Sequence, residues 1–288
     1  MPELPEVEVV KRSLQSFIKG LKIKKITILN RKLRYRIKKN FETHIKNQKI
    51  IFTKRRSKFL LIGLENKNTI LIHLGMTGKL LIFNQSSKKV LKTSFYYENE
   101  VIKKHNHIIL EFNKKIDLIY NDVRKFGFVK LISTKNLKKS PHLFHLGPEP
   151  LNKKFNMLYF AKKIQKIKKN VKNLLMDQKI VSGLGNIYVN EILNKSSINP
   201  KKISKNLNRK QIKRIIENTK IILKKAIILG GSSIRDFKDT SGNTGNFQQK
   251  FLVYDRAGQT CKKPSCKGII KKIYISNRST FYCLKCQK

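Results

Sequence analysis

Short apolar segments and polar turns alternate along the first half of the chain. The segments are rich in Ile, Leu and Phe, and residues such as Asn66, Gly75 and Asn113 separate them. Apolar runs of this length between turn residues are typical of β-strands. The predicted strands are Phe59–Leu64, Thr69–Leu74, Leu80–Phe83, His107–Phe112 and Phe126–Ile132. Residues 1–134 are therefore predicted to form a β-rich domain.

A helix is predicted close to the N-terminus. Pro5 suits a first helical turn, and Glu6 and Glu8 favour the positive end of the helix dipole. The apolar stripe of this helix is Leu4, Val7 and Val10.

The pattern changes after residue 134. Residues 135–155 are rich in Lys, Ser, Pro and Gly, which indicates a linker. Residues 156–247 are predicted to form a helical domain, with the clearest helical period over 206–229 and Gly230 as its C-terminal cap. Ser, Gly, Asn and Thr dominate 232–247, which predicts a flexible loop.

The last segment, 248–288, contains all four cysteines. Cys261, Cys266, Cys283 and Cys286 have the spacing C-x4-C-x16-C-x2-C. Two close pairs at this separation allow two turns of a β-hairpin to present four thiolates to one zinc ion. Such a closed site is structural and leaves no coordination position for chemistry. Arg278, close to the hairpin tip, could bind a phosphate, or it could be one more solvated cation.

The charge of the chain points to a polyanion as its partner. There are 65 Lys and Arg against 17 Asp and Glu, a formal net charge of +48. Nucleic acid is the most common partner for such a protein, and a membrane surface is the alternative. No apolar run approaches the ~20 residues of a spanning helix. Biased composition can also add lysines that have no role.

The N-terminal residues suggest nucleophilic chemistry. Met1 is usually removed before a small residue such as Pro2, and removal would expose a secondary amine. An α-amine has a pKa near ~8, well below that of lysine, so it is a better nucleophile at neutral pH. Glu3 could then act as general acid or base. The alternative is an ordinary capped helix start. No signal peptide is present, so we expect a cytoplasmic protein.

Motifs along the whole chain resemble one family. They are MPELPEVE, RRSKFLL, HLGMTG, KHNH, DVRKFG, HLGPEPL, MDQKIVSGLGNIYVNEIL, GGSSIRDF and NRSTFYCLKCQ. In this order they resemble formamidopyrimidine-DNA glycosylase, a bacterial repair enzyme that removes oxidised purines. The resemblance implies an α+β fold, with an N-terminal β-sandwich-like domain and flanking helices. A helix–two-turn–helix domain with a zinc β-hairpin would follow it.

The resemblance implies the catalytic roles. Pro2, after loss of Met1, would attack C1′ of the damaged nucleotide and form a Schiff base, and Glu3 would help to open the sugar. Lys58 would assist β-elimination through proton transfer and phosphate contact. Arg278 would hold a phosphate during δ-elimination.

The resemblance also implies the DNA contacts. Met76, Arg124 and Phe126 would fill the gap left by an extruded base, with core packing as the alternative for the two apolar residues. Residues 230–247 would include the loop that closes over this base. The other implied DNA-binding residues are His105, Lys168, Lys172, Asn186 and Tyr188. For Tyr188 the alternative is burial at a helix break.

Some positions depart from the family pattern. The first cysteine pair is C-x4-C where the family has C-x2-C, and Asp255 stands where Gly is expected. Asn106 replaces an Asp and Lys125 an Arg. The first rival is the endonuclease VIII class, which acts on oxidised pyrimidines but usually begins PEGPE. The others are a non-catalytic zinc-hairpin DNA-binding protein and an RNA-binding protein. We expect a monomer that binds double-stranded DNA in the bacterial nucleoid.

Overall fold

The computed structural model describes residues 1–91, 103–165, 167–232 and 247–288. The chain divides into two compact units. Unit 1 contains Met1–Phe144 and the described start of Gly230–Asn246, and unit 2 contains His145–Leu229 and Phe247–Lys288. The division between Phe144 and His145 lies within the predicted linker. Residues 233–246 of the predicted closing loop lie outside the described residues.

Unit 1 is built from two antiparallel sheets. Its strands are β1 (Ile23–Ile28), β2 (Ile50–Arg56), β3 (Phe59–Leu64), β4 (Asn68–His73), β5 (Gly78–Asn84), β6 (Lys89–Leu91), β7 (Asn106–Phe112), β8 (Ile116–Asp122) and β9 (Phe128–Ser133). One sheet has the order β1-β7-β8-β5-β6 and the other β2-β3-β4-β9.

One hydrophobic core joins the two sheets of unit 1. Ile62 and Ile72 from the four-stranded sheet and Ile82 and Leu118 from the five-stranded sheet belong to the same buried cluster. Helix α1 (Leu4–Ile18) adds one apolar face to it, and the short helix α2 (Phe41–Ile45) adds both of its end residues. The predicted α+β class is confirmed.

The described residues of unit 2 form four α-helices and one β-hairpin. They are α3 (Met157–Ile164), α4 (Val171–Met176), α5 (Asn186–Lys195), α6 (Arg209–Ile228), β10 (Ile270–Ile275) and β11 (Arg278–Cys283). The side chains of Asn208 and Gln211 form a capping box at the start of α6, which satisfies backbone N–H groups there. Within the described ranges, no helix has the length and apolarity needed to cross a bilayer.

The hydrophobic pattern predicts five of the nine strands described in unit 1 and misses β1, β2, β6 and β8, although β8 is the middle strand of the five-stranded sheet. β3 matches its predicted bounds, and β4, β5, β7 and β9 differ by up to two residues at either end. The pattern does not predict β1 and β2, because adjacent lysines interrupt IKKITI and three consecutive basic residues end IIFTKRR. It also predicts a helix start at Pro5, whereas α1 begins at Leu4.

Candidate active site and nucleic-acid interface

A buried carboxylate fixes the start of α1. Glu6 is 1% exposed, and its Oε2 accepts a hydrogen bond from the Glu3 backbone N–H at 2.9 Å. Its Oε1 accepts bonds from the Ser232 N–H at 2.8 Å and the Ser232 hydroxyl at 2.9 Å. Pro2 and Glu3 are also buried. Glu6 therefore orients the Pro2–Glu3 peptide and ties it to Ser232, a role that the sequence pattern does not indicate.

Lys58 lies in a two-residue turn between β2 and β3, because Arg56 pairs with Phe59 across the hairpin. Ser57, the first residue of the turn, has a φ of 57°. Residues other than glycine rarely adopt this left-handed conformation. Lys58 is 7% exposed, so the residue is largely shielded from bulk water.

His73 is a neighbour of Lys58 that the sequence analysis does not single out. Phe59 pairs with His73 across β3 and β4, and His73 Nδ1 accepts a hydrogen bond from the Gly75 N–H at 3.1 Å. Burial, and then the charges of Lys58 and Arg34, lower the pKa of His73 to about 4. The ring is therefore neutral at pH 7, with its proton on Nε2. The motif HLGMTG does not indicate that Lys58 and Arg34 lie close to this histidine in the folded chain.

Met76, Arg124 and Phe126 belong to two loops that meet at the surface. Met76 is 36% and Phe126 47% exposed, and the Arg124 guanidinium carbon lies 4.5 Å from the centroid of the Phe126 ring. A Cβ added to Gly75 would lie 2.6 Å from the carbonyl carbon of Phe126. The loops approach this closely because Gly75, with a φ of 64°, has no side chain. In this structure the two apolar residues are not core residues.

The loop that carries Arg124 and Phe126 is organised by Asp122, which is fully buried. Its Oδ1 accepts the Thr77 hydroxyl at 2.5 Å. Its Oδ2 accepts the Tyr120 hydroxyl at 3.1 Å and the Gly127 N–H at 2.9 Å. The Arg124 N–H donates to the Thr77 hydroxyl at 3.1 Å. This network presents an apolar, cationic and aromatic surface on a fixed backbone.

Two further predicted DNA contacts are accessible in their own units. His105 is half-buried in the turn that precedes β7 in unit 1, and Lys168 is exposed in unit 2. Their contacts with DNA remain predictions.

The predicted DNA contact of Lys172 stays a prediction, and this structure shows the side chain bound to the hairpin. Lys172, in α4, is fully buried. Its Nζ donates to the Ser279 carbonyl at 3.0 Å, the Thr280 hydroxyl at 2.6 Å and, more weakly, the Arg278 carbonyl at 3.5 Å. Burial, and then the charge of Arg278, lower the pKa of Lys172 to about 8. The ammonium of Lys172 therefore binds the hairpin inside unit 2 in this structure.

The predicted DNA contact of Tyr188 also stays a prediction, and in this structure the ring is buried. Tyr188 has no exposed surface, and its ring stacks on that of Phe247 with centroids 5.7 Å apart. The sequence around Tyr188 does not show whether its side chain is buried. The ring that stacks on it belongs to Phe247, which is 59 residues away in the sequence.

Arg278 follows the turn of the β10–β11 hairpin. Ile275 pairs with Arg278, and the two residues between them, Ser276 and Asn277, have φ values of 48° and 57°. Two successive positive φ values are typical of a type I′ turn, which matches the twist of the strands. Asn173 of α4 donates to the Ser276 hydroxyl at 2.7 Å. The Arg278 side chain is exposed at the tip.

Helix α5 holds the hairpin through polar side chains. The Asn186 amide donates to the Ser279 carbonyl at 2.9 Å, and Asn190 Oδ1 accepts the Phe281 N–H at 2.8 Å. Glu191 is 2% exposed, and its carboxylate accepts three N–H groups at 2.7–3.0 Å. These belong to Leu252, Val253 and Tyr254. The predicted contact of the half-buried Asn186 with DNA remains a prediction, because its amide group binds the hairpin.

The four cysteines form a cluster that fits one tetrahedral metal ion. Their sulfur atoms lie within 4.8 Å of one another, with Sγ–Sγ distances of 3.8 Å for Cys261–Cys286 and 3.7 Å for Cys266–Cys283. A zinc–sulfur bond of about 2.3 Å gives tetrahedral edges of about 3.8 Å. Burial, and then Cys283, raise the pKa of the Cys286 thiol.

The departures from the family pattern fit this hairpin. The longer C-x4-C loop turns through a Cys266 N–H to Lys263 carbonyl bond of 3.1 Å, and Lys263 Nζ donates to the Ser197 hydroxyl at 2.6 Å. Asp255 has a φ of 57°, the conformation for which glycine is favoured. A Cβ on Gly268 would lie 2.6 Å from Cys283 Sγ, so this glycine allows the sulfur atoms to converge.

Known proteins resemble the chain over its whole length. The sequence models of the formamidopyrimidine-DNA glycosylase N-terminal domain and H2TH domain match residues 1–129 and 146–238. A formamidopyrimidine-DNA glycosylase of Rickettsia bellii is 40% identical over 288 residues, which is 100% of both chains.

Solved structures of Lactococcus lactis Fpg have the same fold. One, a mutant with Fapy-dG containing DNA, is 34% identical with a TM-score of 0.86 and covers 100% of both chains. Another, the wild-type protein with an oxidized pyrimidine containing DNA, is 33% identical with a TM-score of 0.85 and covers 100% of both chains. The chain therefore belongs to the formamidopyrimidine-DNA glycosylase family.

Proposed function

We propose that the chain is a bifunctional DNA glycosylase and AP lyase that excises oxidised purines, such as 8-oxoguanine and formamidopyrimidines, in base excision repair. Its full-length membership of the family carries this proposal. The net charge of +48 suits a protein that binds double-stranded DNA. We further propose that it acts as a monomer.

The first steps use the start of α1. After loss of Met1, the Pro2 amine attacks C1′ of the damaged nucleotide, the bond from C1′ to the base breaks, and the base leaves with a proton. Glu3 donates a proton to the sugar ring oxygen as the ring opens. The Pro2 nitrogen loses its own proton and forms an iminium with C1′, which withdraws electrons from the sugar. Glu6 orients the Pro2–Glu3 peptide through the Glu3 N–H.

The next steps cleave the strand. The iminium acidifies the C2′ proton, and its removal expels the 3′ phosphate as β-elimination. Lys58 assists through proton transfer and contact with phosphate. A second elimination expels the 5′ phosphate, and Arg278 at the exposed hairpin tip holds the phosphate for this step. A phosphate monoester leaves more easily when a cation neutralises its charge.

The surface formed by Met76, Arg124 and Phe126 keeps the damaged base outside the DNA helix. Extrusion of a base loses a few kcal/mol of stacking, which side chains that enter the gap can offset. Met76 and Phe126 supply apolar surface, and Arg124 supplies a planar cation facing the orphaned base. His105, Lys168 and Asn186 are proposed to contact the DNA backbone.

One structural Zn²⁺ is proposed for the cysteine cluster. The distances between the sulfur atoms support it, and four thiolate ligands leave no open position on the ion. The ion would fold the hairpin that carries Arg278.

An oxidised pyrimidine is the second candidate substrate. The Lactococcus lactis structure with an oxidized pyrimidine containing DNA favours it, because that protein is similar to the chain over its full length. The sequence PEL at Pro2–Leu4 still favours the purine, since the pyrimidine class usually begins PEG.

The test of this chemistry replaces the nucleophile. Pro2→Gly gives a primary amine, whose imine must first be protonated before it withdraws electrons. We expect the variant to lose most cleavage of an abasic duplex and most borohydride-trapped adduct. Pro141→Gly, at an exposed proline of the same unit, is the matched control. Equal cleavage by Pro2→Gly and the wild type, with both N-termini confirmed by mass spectrometry, would remove the Schiff-base mechanism.

A further inference from the structure

An ion pair joins α1 to the turn that carries Lys58. Arg55, in β2, donates from Nε to Glu8 Oε2 at 2.9 Å, and its Nη1 donates to the Ser57 carbonyl at 2.9 Å. The side chains of Arg55 and Glu8 are 10% and 16% exposed. Ion pairs that are exposed to water contribute little to stability. This pair is largely shielded from water, and the guanidinium group of Arg55 donates to two acceptors.

The turn needs an external constraint. Ser57 adopts a φ of 57° without being a glycine, a conformation that is strained for a residue with a side chain. A turn under this strain has nearby alternatives in which Lys58 would point elsewhere. The bond from Arg55 to the Ser57 carbonyl opposes them, because it fixes the peptide between Ser57 and Lys58.

Glu8 keeps Arg55 in place. Its carboxylate also lies 3.3 Å from Arg12 Nε and 3.7 Å from Lys11 Nζ, through Oε1. Burial opposes its charge, but Arg55 and then Lys11 and Arg12 outweigh this effect and hold the pKa of Glu8 below its usual value. The carboxylate is thus charged at neutral pH and lies on the helix whose start carries Pro2 and Glu3.

We propose that Glu8 and Arg55 are positioning residues that fix the Ser57–Lys58 turn to helix α1 and so hold Lys58 for elimination. They touch neither substrate nor reacting atoms. The role rests on the proposed function, since it assigns Lys58 to strand cleavage. Lys cannot replace Arg55 here. Its side chain is shorter and ends in one ammonium group, which cannot bond the Glu8 carboxylate and the Ser57 carbonyl in the same geometry.

The experiment compares Arg55→Lys with Arg12→Lys. Arg12 pairs with the same carboxylate but is 60% exposed, so its substitution is the matched control. On an abasic duplex in single turnover, we expect Arg55→Lys to slow strand cleavage roughly tenfold, since 1 Å of misplacement can cost up to about 100-fold. The borohydride-trapped adduct should form at the wild-type rate, because Pro2 is not displaced. Arg12→Lys should match the wild type in both measurements.

A second substitution separates positioning from loss of structure. Ser57→Gly in the Arg55→Lys background should restore most of the cleavage rate, because glycine adopts the left-handed turn without the Arg55 bond. The inference is wrong if Arg55→Lys cleaves as fast as Arg12→Lys. It is also wrong if adduct formation and cleavage fall together and Ser57→Gly restores neither.

Amide hydrogen exchange tests the pair without using activity. The segment 57–61 should exchange faster in Arg55→Lys than in Arg12→Lys, and equal exchange would overturn the inference. If the wild type neither traps nor cleaves abasic DNA, the proposed function fails and the exchange comparison still decides the role of the pair.

Discussion

Several charged side chains bind the backbone of a distant segment while they are themselves buried. Glu6 accepts the N–H groups of Glu3 and Ser232, Glu191 accepts three N–H groups of 252–254, and Lys172 donates to the hairpin. Removing water from a charge costs several kcal/mol unless hydrogen bonds replace the water. These residues therefore fix segments in place, and each is sensitive to a substitution that keeps its size and removes its charge.

His73 should make the stability of unit 1 depend on pH. It titrates at about 4 in the folded chain and near 6.5 in an unfolded chain. Between pH 6.5 and about 4, His73 is therefore protonated in the unfolded chain but not in the folded chain. The stability contributed above pH 6.5 is thus lost as the pH falls to about 4, an effect of about 3 kcal/mol.

The measurement is urea unfolding at pH 7 and pH 4.5. His73→Asn keeps an acceptor for the Gly75 N–H but does not titrate, so it should lose less unfolding free energy than the wild type between these pH values. His44→Asn, at an exposed histidine, is the control. The same pH dependence in all three proteins would contradict the low pKa of His73.

At the scale of elements, the hairpin tip depends on α4. Lys172→Met keeps the length of the side chain but leaves the Ser279 carbonyl and Thr280 hydroxyl without this donor, which costs about 1–3 kcal/mol. Since Arg278 follows the same turn, we expect lower thermal stability and slower release of the 5′ phosphate. Lys169→Met, at a side chain that is 58% exposed, is the control.

The readout is the ratio of β- to β,δ-elimination products on an abasic duplex. This ratio should shift towards β-elimination in Lys172→Met. An unchanged ratio would show that Arg278 does not depend on the buried ammonium.

The zinc hairpin should fold only with its metal. Binding energies of structural zinc are about 10–16 kcal/mol, which exceeds the stability of a short hairpin. We expect one zinc per chain by elemental analysis, and its removal by a chelator should abolish cleavage. Cys283→Ser should bind less zinc, whereas Lys267→Ala, at an exposed residue next to Cys266, should bind one ion. Full cleavage by metal-free protein would contradict a structural role.

Elements with a local signal could be predicted from the sequence. Strand β3 stands out as an apolar run, α6 as a helical period with a Gly after it, and the hairpin as two cysteine pairs. Side-chain environments could not, because they depend on residues distant in the sequence. Lys172 is enclosed by residues more than 100 positions later, and Tyr188 by Phe247. A lysine-rich sequence gives no local sign of which lysine is buried.

At the scale of the whole molecule, family membership and charge point to the same partner. A chain with a net charge of +48 binds any duplex tightly at low salt, so affinity alone does not identify a repair enzyme. Covalent chemistry does, because an adduct trapped on a base lesion requires a nucleophile, an open sugar and an extruded base together.

The central claim is excision of an oxidised purine through an N-terminal Schiff base. The most direct test is borohydride trapping on a duplex with one 8-oxoguanine beside a duplex with one thymine glycol, at a fixed salt concentration. We expect an adduct through Pro2 on the purine duplex, formed faster than on the pyrimidine duplex. Trapping on thymine glycol alone would contradict the purine assignment, and no adduct on either lesion or on an abasic site would contradict the mechanism.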